Sequence, residues 1–139
     1  MNILRFIIPK SSVEYISSTS TVRQALEKMR YHHYAAIPVL DDEGMYLGTL
    51  RNDDIFKYFL ENGTFDSRAA ERDGIMSIMD SDYSRPLPHS ATINELIEHV
   101  KEHNLVPVVD DRGCFIGIIL RRDVLNFLLK FYENSSAKE

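Results

Sequence analysis

Two acidic residues sit where this chain could do chemistry. Asp54 and Asp123 each stand six residues after a glycine, Gly48 and Gly117, at the start of a helical pattern. A carboxylate at a helix N-terminus keeps its charge, and its oxygens can accept from two adjacent hydroxyls. Asp is also a routine helix cap, so both readings stand. Three arginines flank these starts, Arg51 at the first and Arg121 with Arg122 at the second. Guanidinium groups beside helix N-termini suit an anion such as a phosphate, with solvated surface as the alternative. His99 and His103 share a helix face four residues apart, which can hold a metal, but only Glu95 or Glu102 offers a third ligand. His32 and His33 are adjacent and point to different faces. The chain has no Gly-x-Ser-x-Gly elbow, no His-Glu-x-x-His and no P-loop, so it reads as a binding protein and not an enzyme.

A repeat positions these residues. Residues 36–55 read AIPVLDDEGMYLGTLRNDDI, and residues 105–124 read LVPVVDDRGCFIGIILRRDV. Pro38 and Pro107, Gly48 and Gly117, and Asp54 and Asp123 are each 69 residues apart. A shared offset through several special residues marks a tandem duplication.

Within each copy the elements can be read in turn. Residues 3–8 form an apolar lead-in closed by Pro9, and residues 74–82 are its counterpart. Residues 13–16 suit a short strand. Thr21-Val-Arg-Gln24 is a capping box, followed by Val22, Ala25, Leu26, Met29 and His33 at helical spacing. Thr92-Ile-Asn-Glu95 opens the second copy's helix at an offset of 71, with Ile93, Leu96, Ile97 and Val100 as its stripe. Residues 35–40 and 105–109 read as buried strands. Pro38 and Pro107 lie inside them and cannot donate, which predicts an edge or partly unpaired strand with backbone open to a ligand. The Asp-Asp-x-Gly turns at 41–44 and 110–113 lead into return strands 45–50 and 114–120, where Gly48 and Gly117 predict close backbone approach. Helices over 53–62, stopped by Gly63, and over 122–132 complete the copies.

The expected fold is therefore α/β (α+β): two β-α-β-β-α repeats. Each joins a parallel crossover to an antiparallel hairpin. Helices cover one face of each sheet. A half of about 55 residues is marginal alone, so the bare faces should pack sheet to sheet with pseudo-two-fold symmetry. Residues 1–62 hold the first repeat with its lead-in, 63–73 a polar linker, 74–133 the second repeat and 134–139 a fraying tail.

Composition bounds the function. The 139 residues carry a formal charge of −5 with 44% hydrophobic residues, which suits a globular chain and disfavours a nucleic-acid surface. Cys114 is the sole cysteine, which fits a reducing cytoplasm. No stretch approaches a membrane span of about 18 apolar residues, and the N-terminal run is too short for a signal peptide.

The capped Thr21 and Thr92 helices, the IPVLDDEG and VPVVDDRG segments and the two Gly-to-Asp spacings resemble a pair of cystathionine-β-synthase (CBS) domains, the Bateman module, across almost the whole chain. The resemblance implies a free-standing regulatory module that binds an adenine nucleotide (AMP, ADP, ATP or cyclic di-AMP) in clefts between the repeats. It also implies a homodimer and a regulated partner protein. It assigns Asp54 and Asp123 to a ribose, and Ala36, Ile37 and Pro38 with Val106 and Pro107 to an adenine wall. Thr19 and His89 face the same clefts by that layout, with a plain turn as the competing reading. The family's Thr or Ser three residues before the Asp is here Arg51 or Leu120. Arg51 could replace that hydroxyl with a charged contact to phosphate, whereas Leu120 can donate nothing, leaving Arg121 and Arg122 beside it. The alternative is a ligand-free dimerisation or protein-interaction module whose clefts have degenerated.

Overall fold

The computed structural model describes residues 2–62, 67–80, 82 and 85–137. Local signals set its helices. Thr21 caps α1 (Val22–His32): its hydroxyl accepts from Gln24 N–H while Gln24 reaches back to Thr21 N–H. Val22, Ala25 and Met29 are buried along that stripe. His33 is not part of the stripe. It is the exposed C-cap, with φ +58°, where a left-handed turn ends the helix. In α4 (Ile93–Val100), Thr92 likewise accepts from Glu95 N–H.

The strands follow the repeat. In the first half β2 (Ile16–Ser17) pairs in parallel with β3 (Ala36–Leu40), which pairs antiparallel with β4 (Tyr46–Arg51). The second half repeats this with β5 (Leu87–Pro88), β6 (Leu105–Val109) and β7 (Phe115–Leu120). Helix α2 (Asn52–Asn62) follows β4, and α5 (Arg121–Ala137) follows β7. The hairpin turns are locked alike. Asp41 Oδ1 accepts from the N–H groups of Glu43 and Met45, and Asp110 Oδ1 from those of Arg112 and Cys114. Gly44 and Gly113 take φ of +83° and +87°, which a side chain would oppose.

Both prolines sit in the middle strand of their sheet, contrary to an edge position, but the partly unpaired strand is found. Strand β2 reaches only Val39 and Leu40, and β5 only Val108 and Val109. Ala36–Pro38 and Leu105–Pro107 therefore pair on one side only.

The two sheets face each other. Leu40, Phe115 and Ile118 are buried there together, with Ile8, Val13, Tyr46, Leu105 and Leu120 packed around them. At one end the hairpin turns touch by reciprocal bonds, Tyr46 N–H to Gly113 O at 3.2 Å and Phe115 N–H to Gly44 O at 3.0 Å. Each donor and each acceptor lies 69 residues from its counterpart, so the bonds mark the pseudo-two-fold axis.

Three features depart from the sequence reading. The lead-in packs mainly with the second repeat. Ile3 and Phe6 are buried in the second half's core, and β1 (Ile8–Pro9) adds a fourth strand beside β7. Ile75, from the second lead-in, is buried in the first half's core. Full burial of such a side chain stabilises by about 1.5–3 kcal/mol, so the crossing ties the halves strongly. Second, the linker holds α3 (Ser67–Arg72), which packs on α1 and buries Ala70 against Val22 and Tyr58. Its alanines supply the apolar side that a polar composition hid. Third, α5 runs through residues 134–137, because nothing in that stretch breaks a helix. The Gly63 stop lies outside the described residues. Among the described residues no helix is long and apolar enough to cross a membrane.

Close approach at Gly117 is severe. A Cβ there would lie 2.2 Å from Ile8 O, whereas one on Gly74 would meet nothing nearer than 3.9 Å. Gly117→Ala should therefore lose about 3 kcal/mol in urea unfolding and Gly74→Ala less than about 0.5 kcal/mol. Equal losses would remove β1 as the reason for the glycine.

Candidate functional site

At the end of the sheets opposite the joined turns, the two halves leave a cleft of about 530 Å³. Ten of its thirteen lining residues form pairs 69 residues apart: His33 with Glu102, Ala35 with Asn104, Ala36 with Leu105, Arg51 with Leu120 and Asn52 with Arg121. It therefore straddles the pseudo-two-fold axis. A second pocket of about 280 Å³ adjoins it and shares Tyr34, Ala36, Leu105 and Leu120. Ile8, Ser12, Val13, Glu14, Pro38, Ile118 and Arg122 complete that pocket. The space is thus a central cleft with a side pocket, both within the usual size range of a small-molecule site or near it.

Helices α2 and α5 start at the central cleft. Asn52 N–H donates to Ala35 O and Arg121 N–H to Asn104 O, both at 2.9 Å, which pins each helix start to the strand beside it. Arg121 Nε also donates to Val100 O at 2.6 Å. The guanidinium of Arg51 turns toward carboxylates. Its Nη2 lies 3.0 Å from Asp54 Oδ1 and 3.8 Å from Asp80 Oδ2, and its Nη1 lies 3.9 Å from Asp53 Oδ2.

Asp54 is 6% exposed and does two jobs. Besides the Arg51 side chain, it accepts Arg51 N–H on Oδ2 at 2.9 Å. It is not the N-cap residue. It stands at the third position of α2 and reaches back to the residue before the helix, the acidic half of a capping box. Asp123 differs. Its side chain is 40% exposed, with Arg122 Nε 3.8 Å away.

The other expected site residues divide. Ala36 lines both spaces, Pro38 and Arg122 line the side pocket, and Arg51 and Arg121 line the central cleft. Pro38 and Arg122 come from different halves, so the side pocket joins the wall of one repeat to the helix start of the other. Ile37 and Val106 are fully buried in the two cores, and Pro107 is buried as well. Thr19 is exposed in a turn, its hydroxyl 2.9 Å from Ser17 Oγ. His89 sits in another turn, its Nε2 3.3 Å from Asp111 Oδ1. Neither lines the clefts. Asn52, Asn104 and Glu102 do, and the sequence reading missed them. Their signal was the 69-residue offset, which pairs Asn52 with Arg121 and Glu102 with His33.

His99 and His103 line a separate polar recess with Glu98, Glu102, Asp82 and Arg85. Helix α4 ends at Val100, but His103 N–H still donates to His99 O at 3.0 Å, so the two histidines stay one helical turn apart. Among the described residues no group of three or more His, Cys, Asp or Glu could hold a metal ion. Burial first, then the nearby His103, holds His99 below the ordinary histidine value, against the pull of Glu102 and Glu95.

Comparison with known proteins adds the following. The CBS domain model matches the chain twice, over residues 7–61 and 75–130. No curated protein matches it. Among solved structures, CbpB in complex with c-di-AMP is similar at a TM-score of 0.86 and 21% identity, over 100% of this chain and 91% of that one. CbpB of Listeria monocytogenes, also in complex with c-di-AMP, gives 0.84 and 22%, over 94% and 97%. CBSX2 in complex with AMP gives 0.75 and 21%, over 94% and 98%. At these identities the likeness is one of fold.

Two outcomes follow from the geometry. Asp54→Ala strips two bonds from a buried carboxylate and should cost about 2–3 kcal/mol in chemical unfolding, while Asp123→Ala should cost about 0.5 kcal/mol or less. Equal costs would mean that the two helix starts are built alike. For His99 the unfolded chain holds a proton more tightly than the folded one. Stability should be complete above the ordinary value of 6.5 and decline as pH falls below it. Urea midpoints at pH 7.5 and about 5.5 should show that decline, and His99→Gln should flatten it.

Proposed function

The chain belongs to the CBS-domain family, and from that premise we propose that it is a regulatory module that binds an adenine nucleotide in the central cleft and its side pocket. One observation carries the reading: a cleft of about 530 Å³ lies on the pseudo-two-fold axis, beside strand stretches that pair on one side only, with Arg51 and Arg121 at its rim. Unpaired main chain at Ala36–Pro38 and Leu105–Pro107 offers donors and acceptors of the kind a purine edge reads. The apolar walls, Ala36, Leu105 and Leu120, suit the faces of a base, and the arginines suit phosphate. The complexes of CbpB with c-di-AMP and of CBSX2 with AMP support adenine nucleotides as the ligand class. The reading needs no catalytic group and no cofactor.

The signal in this reading is a change in the angle or rigidity between the halves, passed to a regulated protein in the cytoplasm. A homodimer is part of it. Phe56 and Leu60 on α2, and Leu125 and Leu129 on α5, are large, apolar and about half exposed or more. They recur 69 residues apart, so a second copy carrying the same two faces can cover both at once.

A second reading has its own support. Asp54 is already bonded and Arg51 already faces carboxylates, while Leu120 presents no donor. A ligand-free interaction module would use the folded body and leave the clefts idle.

Thermal unfolding with AMP, ADP, ATP and cyclic di-AMP separates the two. A nucleotide at about 100 times its dissociation constant should stabilise by about 2.7 kcal/mol. Absence of any shift at millimolar nucleotide would leave the interaction module as the function.

A further inference from the structure

The two sheets end differently, and the difference falls on the cleft. Beside β7 the first lead-in forms a hydrogen-bonded strand, with Ile8 opposite Ile118 and Pro9 opposite Gly117. The residues 71 positions after Ile8 and Pro9 are Met79 and Asp80. Met79 lies on Gly48 of β4, where a Cβ would come within 2.7 Å of its Cε, as Ile8 lies on Gly117. Yet the first sheet has three strands, and among the described residues no strand pairing joins this segment to β4. Ile75 is buried in the first core, Ile78 and Met79 pack against it, and Asp80 reaches Arg51. The outer edge of β4 is thus covered by side chains where β7 is covered by backbone bonds.

Among the described residues Arg51 faces three carboxylates, and they are not equally free to leave. Asp54 has a side chain 5% exposed and also holds the Arg51 N–H, so it is fixed. Asp53 belongs to the same helix start and moves with it. Asp80 is 53% exposed, stands 3.8 Å away and comes from the other repeat's lead-in. One cation before three anions leaves negative charge in excess. An incoming phosphate meets repulsion until a carboxylate withdraws: the Asp53 side chain, 87% exposed, can turn aside in place, whereas the departure of Asp80 frees a segment of the other repeat.

We propose that Asp80 stands in for the ligand's phosphate: it occupies Arg51 in the free protein, and an adenylate phosphate entering the central cleft displaces it and loosens residues 75–80 from the outer edge of β4. The proposal rests on the nucleotide reading above and gives it a switch. It also sets a charge requirement, since neutral adenosine brings nothing to take Asp80's place. The signal leaves the cleft through the lead-in, the segment that carries the chain from the linker into the second repeat.

The test is calorimetric titration of wild-type protein and Asp80→Asn with AMP, cyclic di-AMP and adenosine, with backbone hydrogen exchange of residues 75–80. The variant should bind the phosphate-bearing ligand about fivefold more tightly, the effect of one water-screened charge at about 4 Å, with adenosine affinity unchanged. Bound nucleotide should speed exchange in residues 75–80 of the wild type, and the variant should exchange fast without it. Equal or weaker binding by the variant, or slower exchange in residues 75–80 on binding, overturns the switch while leaving nucleotide binding intact. A wild type that binds none of the phosphate ligands overturns both.

Discussion

The apolar contact between the two sheets fixes everything else. Leu40, Phe115 and Ile118 meet across it, and the joined hairpin turns hold one end shut. With that end closed, the twist of the sheets opens the other. The cleft is the gap left where two curved surfaces stop touching. Its position on the pseudo-two-fold axis follows from the duplication, since most wall residues share the cleft with their own counterparts.

Chemistry has drifted within that frame. The pairs that line the cleft keep their geometry but not their character: Arg51 faces Leu120, His33 faces Glu102 and Asn52 faces Arg121. Asp54 and Asp123 have diverged in the same way, one buried with two bonds and the other half exposed. A symmetric scaffold has become a one-sided site. The first helix start carries the fixed carboxylate and its arginine, and the second offers Arg121, tethered to a carbonyl of the neighbouring helix.

Much of the scaffold was legible because local signals carried it. The Thr21 box, the Asp-Asp-x-Gly turns and the single-sided pairing at Pro38 and Pro107 each follow from one residue's bonding capacity. The site was legible only in part. Arg51, Ala36, Pro38, Arg121 and Arg122 line the clefts, but Ile37 and Val106 face the cores, and Asp54 works as a helix brace. A strand's alternation says that neighbours point apart, not which of them meets a hollow. The packing of the lead-ins was not legible for a similar reason: an apolar run shows that it will be buried and leaves open against which half. Only the spacing between Ile3 and the second core, a tertiary distance, decides that.

The exchanged lead-ins bear on how the chain is made. During synthesis the first repeat can form its sheet and helices, but its core lacks Ile75 until that residue has left the ribosome. Ile3 and Phe6 wait for a core made well after them. Neither repeat can finish alone, so the closing step joins residues far apart in sequence.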